Sequence, residues 1–209
     1  MISLGDIVTR VRKLGWVVRN VAIDLRYGGI LAGDIKTRYR SAGAHNIVNS
    51  QYSVLPHIFA ERIHADDVLV DVGCGKGRVI NWWLSLGLRN RIVGIELDPE
   101  VASGTEKRLR KYDNVEIVNA DATTAVPDEA TLLYMYSPFD EGAMHRFKAD
   151  MERRFRRRGI TALYWNPEYL DVFHGDPQWA THMVGLHDVP DPRIGGTHAR
   201  YAVLQLRPA

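Results

Sequence analysis

Residues 68–80 read V-L-V-D-V-G-C-G-K-G-R-V-I, and no other stretch narrows the fold of this chain so far. Val68, Leu69, Val70 and Val72 form a short aliphatic run suited to a strand buried on both faces. The run ends in Gly73, Gly75 and Gly77, which permit a tight turn and let a ligand approach bare backbone. From Arg78 the sequence R-V-I-N-W-W-L-S-L has helical spacing, so the glycines stand where a strand hands over to a helix. The free N–H groups and positive dipole end of that helix favour a negative or strongly polar ligand.

Spacing then discriminates between ligands. A dinucleotide turn reads G-x-G-x-x-G and places a pyrophosphate on the helix N-terminus. Here the glycines read G-x-G-x-G, with Asp71 two residues before the first. A carboxylate so close to the turn repels a pyrophosphate and suits a cationic group. A second strand, R-I-V-G-I-E-L-D at 91–98, carries Glu96 at its end. A carboxylate there is placed to accept both ribose hydroxyls of an adenosine.

With these residues in view, the chain resembles the class I S-adenosylmethionine-dependent methyltransferases, from about residue 52 to the C-terminus. D-V-G-C-G-K-G resembles their first motif, and G-I-E-L-D the acidic end of their second strand. V-N-A-D-A at 118–122 resembles the segment that meets the adenine amino group, and L-L-Y-M-Y-S-P-F at 132–139 the motif that borders the transferred methyl. The resemblance implies a Rossmann-like, doubly wound α/β fold. Its seven-stranded, mostly parallel sheet would end in an antiparallel C-terminal hairpin and lie in a three-layer α-β-α sandwich. It implies S-adenosyl-L-methionine as cofactor and S-adenosyl-L-homocysteine as product. Gly73, Cys74, Gly75 and Gly77 would line the methionine part, with Asp71 near its ammonium. Glu96 would bind the ribose, Leu97 would face the adenine, and Asp121 and Ala122 would meet the adenine edge. Tyr136, Ser137 and Pro138 would wall the sulfonium, and Tyr52 would join the lid. Some bacterial members carry Y-N-P-F where this chain has Y-S-P-F. Serine removes an amide that could bind an amine, which weakens the case for amino-group methylation by that route. Asn166 and Pro167 follow the fifth strand, not the fourth, and read as a strand-ending turn.

The 209 residues suffice for one domain of about 52–209 with an N-terminal helical extension or lid at 1–51. No apolar run is long enough to span a bilayer, and the first residues do not read as a signal peptide. The single Cys74 cannot form an internal disulfide, so a reducing, cytoplasmic setting is expected. Small residues are needed in the turn, so Cys74 reads as packing more than as a nucleophile. The net charge of +2 is uneven: residues 1–40 hold eight basic and three acidic residues, a net of +5. Such a segment can meet nucleic acid, an anionic membrane or an acidic substrate, although a solvated helix face also explains it.

Ile7, Val11, Leu14, Val18, Val21 and Leu25 follow helical spacing, so residues 4–25 should form an amphipathic helix with a weak point at Gly15. Its apolar stripe is expected to pack on the domain, with a membrane-surface helix as the alternative. Residues 27–49 read as loop and 51–64 as a helix. Strands are expected at 67–72, 91–97, 115–119, 131–136 and 161–166, with helices at 78–86, 100–112, 141–157 and 168–174. Two extended runs, 180–189 and 198–207, joined by a turn-rich connection too short for a crossover helix, should pair antiparallel. The basic run at 153–158 ends a helix, where cations complement the dipole.

Methyl transfer depends on positioning donor and acceptor, and a hydroxyl acceptor also needs a base. The sequence marks no acid–base pair. Candidates are His57, Asp140, His145, His174, His187 and His198, with Asp140 and His145 first because they follow the Y-S-P-F motif. No metal-ligand spacing stands out, so no metal is expected. The reading is a methyltransferase acting on an oxygen or nitrogen of a small molecule, such as a sugar or secondary metabolite. A protein lysine methyltransferase and an inactive adenosine-ligand scaffold are the rivals. Nucleic acid is the less expected acceptor, because no added nucleic-acid module is evident. The N-terminal segment is expected to cover the acceptor side of the pocket.

Overall fold

The computed structural model describes residues 4–186 and 199–209. The expectations for His187, His198 and the turn-rich connection before His198 lie outside the described residues.

The parallel core is built from β1 (Val68–Val72), β2 (Arg91–Glu96), β3 (Val115–Asn119), β4 (Leu132–Tyr136) and β5 (Ile160–Trp165). The hairpin of β6 (Trp179–Leu186) and β7 (Ala199–Leu206) joins β5 antiparallel through β7, giving the order β3-β2-β1-β4-β5-β7-β6. Strand order reverses at β1, which lies between β2 and β4. The crevice above the carboxyl ends of β1 and β4 is where such sheets bind ligands.

Alternate residues of each central strand enter two separate cores, as a sheet covered on both faces requires. Val70, Val72, Leu133 and Met135 pack on one side with Phe147, Met151 and Phe155 of the helix Glu141–Phe155. Leu69, Leu132 and Tyr134 pack on the other with Phe59, Val79, Ile80 and Trp83. The helices in chain order are α1 (Leu4–Arg26), α2 (Leu55–Phe59), α3 (Arg78–Ser85), α4 (Pro99–Leu109) and α5 (Glu141–Phe155). Asp98 caps α4 by accepting the N–H groups of Glu100 and Val101, and Asp140 caps α5 through Ala143.

Three expectations are corrected. The helix expected over 51–64 shrinks to the five residues of α2. Pro56 fixes its start, and Ala60 leaves the helical region while Glu61 takes a φ of 53°, so that Phe59 can stack on Trp82. Helix α1 runs through Gly15 without a break. Its apolar stripe does not pack on the domain: Val11, Leu14, Val18 and Leu25 are exposed. The docked face is polar. Asn20 and Asp24 are buried, and the Asp24 carboxylate pairs with Arg78 of α3 at 2.6 Å. A buried hydrogen-bonded ion pair fixes one register and one orientation, whereas an apolar stripe could slide.

The basic run at 153–158 is largely spent within the chain. Arg153 pairs with Asp150, Arg154 with Asp128 and Asp150, and Arg158 donates to the carbonyls of Asp128 and Ala130.

Candidate functional site

The crevice above β1 and β4 is a cavity with a floor from the sheet and a roof from the segment that follows α1. The floor comes from three strand ends. Asp71 lies within β1, and Gly73, Cys74 and Gly75 continue from it into the turn. Glu96 and Leu97 end β2, Ala120, Asp121 and Ala122 follow β3, and Tyr136 and Pro138 end β4.

Gly73, Gly75 and Gly77 have φ of 73°, 52° and 72°, a conformation that side chains other than glycine resist. A Cβ on Gly75 would stand 2.6 Å from Ile47 Cγ2 in the roof. The turn is held from below by Glu96, whose carboxylate accepts the N–H groups of Gly75 at 2.8 Å and Asp98 at 2.9 Å. Those bonds aim the carboxylate into the cavity while leaving its remaining lone pairs for hydroxyl groups. Cys74 is buried and packs over Gly94, where a Cβ would stand 2.9 Å from its sulfur. Burial pushes its thiol well above the ordinary range, so Cys74 is an inert packing residue.

Asp71 carries the electrostatic signature of the site. Burial, then the neighbouring Glu96 charge, pushes its carboxyl up to about 8. Burial also raises Glu96. Two buried acids facing one cavity call for a cation between them. An adenosine carrying a methionine tail supplies a cationic ammonium for Asp71 and paired ribose hydroxyls for Glu96. The residues present fit S-adenosylmethionine, whereas a pyrophosphate would only bring more negative charge against two buried acids.

The roof is a short ribbon. Ile35 and Ile47 exchange backbone hydrogen bonds at 3.0 Å each. Ala44 bridges to Phe139, and His45 donates its N–H to the Pro138 carbonyl at 3.0 Å. Gly43, with φ of 88°, packs so close to Asp140 and Ala143 that a Cβ would meet both at 2.7 Å. Asn49 ties the ribbon down by donating to the carbonyls of Leu31 and Gly33, and the hydroxyls of Ser50 and Tyr134 meet at 2.8 Å below it.

Of the residues expected from sequence, Asp71, Gly73, Cys74, Gly75, Glu96, Leu97, Asp121, Ala122, Tyr136 and Pro138 line this cavity. Four others do not. Tyr52 is buried away from it, donating its hydroxyl to Asp24 at 2.7 Å beneath Arg78. Gly77 caps α3 and packs on Thr105 and Leu109. Ser137 turns its hydroxyl to the Asn166 carbonyl, so that its own carbonyl faces His45. Asp140 is spent on the α5 cap, and His145 lies on the exposed face of α5. Neither lines the cavity. His57 and His174 are also exposed; His57 stands on α2, and His174 pairs with Asp171. Among the described residues no three metal-ligating side chains cluster.

Sequence reasoning missed His45. Its Nδ1 lies 2.9 Å from the Ser137 carbonyl and 3.9 Å from Glu168 Oε2, and its ring stands 6.1 Å from that of Tyr169. The only sequence signal was its proximity to Tyr52, because a residue in an aperiodic ribbon shows no spacing that reveals its partners.

A family model described as a methyltransferase domain matches residues 69–159, which run from β1 to just beyond α5. A probable cobalt-precorrin-6B C(15)-methyltransferase (decarboxylating) of Methanothermobacter thermautotrophicus is 41% identical over 70 residues, which cover 30% of this chain and 35% of that protein. The chain spans about a third of the length of the curated relatives it matches. Among solved structures, an RNA methyltransferase from Salinibacter ruber in complex with S-adenosyl-L-homocysteine is similar with a TM-score of 0.51. It is 23% identical, over 76% of this chain and 92% of that one. A precorrin-6y C5,15-methyltransferase from Geobacter metallireducens is similar with a TM-score of 0.53 at 16% identity, over 78% of this chain and 90% of that one. At these identities the structural likeness establishes the fold.

Proposed function

We propose, for a chain whose residues 69–159 match a methyltransferase-domain model and whose fold resembles that of known methyltransferases, transfer of a methyl group to the hydroxyl of a small acceptor held beneath the ribbon. S-adenosylmethionine when bound supplies an electrophilic methyl on a sulfonium. The chain's own residues would do the rest. Asp71 holds the ammonium end, Glu96 the ribose, and Leu97, Asp121 and Ala122 the adenine. Tyr136 and Pro138 stand where donor and acceptor meet. Residues 1–51 act as the lid of this site, with 37–50 as its closing part.

The observation that carries the oxygen-acceptor reading is the His45–Ser137 contact. A carbonyl can only accept, so His45 Nδ1 must donate to it. In the neutral ring Nε2 then keeps a lone pair, fixed in tautomer by that bond. His45 lines the cavity, and such a nitrogen there would take the proton that a hydroxyl acceptor loses as it attacks. The small size of the acceptor is supported by the roof, since Ile47 packs against Gly75 and covers the glycine turn.

The test uses donor labelled in its methyl group with separate panels of sugars, phenols, amines, lysine peptides and structured RNA. Label in a hydroxyl-bearing small molecule, lost with His45→Ala while calorimetric donor binding persists, supports the reading. Label in RNA or lysine peptide, or full turnover by His45→Ala, overturns it. Donor binding with no label transferred across all panels would point to the inactive scaffold.

A further inference from the structure

Helix α1 is docked the wrong way round for a purely soluble chain. It is 23 residues long, about 35 Å at 1.5 Å per residue. Its buried side chains, Asn20 and Asp24, lie with Tyr27 at the i, i+4, i+7 spacing of one face. The opposite face carries Val11, Leu14, Val18 and Leu25, which are 64%, 65%, 58% and 56% exposed. Val17 at the stripe's edge and Ile30 just beyond the helix extend it. Other large exposed hydrophobics among the described residues, Val48, Leu86 and Met183, lie outside this stripe.

The charges on the helix choose the occupant. Arg19 and Arg26 stand seven residues apart, so they share one flank of the stripe. Arg19 and Arg26 are exposed. The helix sequence holds five basic residues against Asp6 and Asp24, and the Asp24 charge is consumed by Arg78 in the buried pair. An apolar strip edged by cations is the pattern of a helix lying in a bilayer interface, its apolar side among acyl chains and its cations among anionic headgroups. A second copy of the chain fits less well. Two such stripes laid antiparallel would bring Arg19 and Arg26 of each copy together, with no acid among the described residues of that flank to answer them. No helix among the described residues is long and apolar enough to cross a membrane, so contact would be peripheral.

We infer that α1 docks this protein on an anionic phospholipid surface by its outward face, Val11, Leu14, Val18 and Leu25, flanked by Arg19 and Arg26. This docking is independent of the proposed acceptor chemistry. The polar inner face stays bound to α3, so the helix reaches the lipid without leaving the domain.

The test is co-sedimentation of the full chain with vesicles of phosphatidylcholine alone or with phosphatidylglycerol added, at low and high salt. Wild type should pellet with the anionic vesicles, and weakly or not at all with the neutral ones or at high salt. Arg19→Glu with Arg26→Glu should lower partitioning by roughly tenfold or more. Leu14→Asp with Val18→Asp should abolish it while leaving thermal stability unchanged, since both side chains are exposed. The inference fails if wild type stays in the supernatant with anionic vesicles. It also fails if the Leu14→Asp, Val18→Asp variant still pellets, or if sedimentation velocity shows wild type to be a dimer that this variant splits.

Discussion

The Asp24 carboxylate meets the Arg78 guanidinium at 2.6 Å in a pair whose side chains are 1% and 6% exposed. Arg78 is the first residue of α3 and also lines the cavity. Tyr52 and the Leu31 N–H complete the carboxylate's partners. One buried charge pair therefore joins the N-terminal helix, the start of the ribbon and the glycine turn. Removing one partner leaves the other charge buried alone, so Asp24→Ala should cost about 3–5 kcal/mol. Chemical denaturation checks this. The loss should exceed that of Tyr52→Phe, which deletes one hydrogen bond and costs about 1 kcal/mol.

Donor binding should depend on pH through Asp71. Its carboxyl, pushed up to about 8 in the ligand-free protein, must lose its proton to hold an ammonium. Affinity should therefore rise as pH approaches about 8. It should fall again above that, as the ligand's own amino group, with a pKa of about 8, loses its charge. Titration calorimetry in buffers of different ionisation enthalpy reads both limbs. Asp71→Asn should bind more weakly and lose the acid limb. A flat profile for wild type would remove Asp71 from the ammonium site.

The same group sets a stability trend of opposite sign. Its folded-state pKa is raised, so between about pH 4 and 8 the folded chain holds a proton that the unfolded chain has released. Ligand-free stability should fall as pH rises through that window. Asp71→Asn removes the buried charge and should gain about 1–3 kcal/mol at pH 8. That corresponds to roughly 2–4 °C of melting temperature per kcal/mol for a domain of this size. Thermal melts at pH 5 and pH 8 should converge for the variant and diverge for wild type.

Gly75 and Ile47 should behave as a coupled pair. Gly75→Ala places a methyl 2.6 Å from Ile47 Cγ2 at a φ of 52°. The ribbon must then lift from the turn, with turnover lost more than donor affinity. Ile47→Ala removes the clash, though not the backbone strain, and should restore part of the turnover in the double variant. Additive losses in that double-mutant cycle would show that the two residues do not meet.

Asp140 and His145 should prove dispensable for chemistry. Asp140→Ala deletes the α5 cap and should cost about 1 kcal/mol of stability. His145→Ala should change neither stability nor turnover, because the ring stands on the exposed face of α5. Loss of turnover in His145→Ala with donor binding intact would reinstate it over His45.

The strands of the sheet and the cavity-lining residues at their ends were legible in the amino-acid sequence. Aliphatic runs such as 68–72 are short, buried on both faces and followed by helical spacing, so periodicity alone identifies β1 and α3. Asp71, Glu96 and Asp121 are legible because each sits within or just after a strand, where the polypeptide's own course fixes its place in the crevice. The tertiary structure alone decided the rest. Whether an amphipathic helix buries its apolar or its polar face depends on what it meets, and Arg78 offered a buried charge where an apolar groove was expected. Tyr52 was drawn into that pair and away from the cavity. His45 and Ser137 are 92 positions apart in the chain. Only the pairing of the ribbon with the segment after β4 brings them together, and long-range pairing of aperiodic segments leaves no period in the sequence to read.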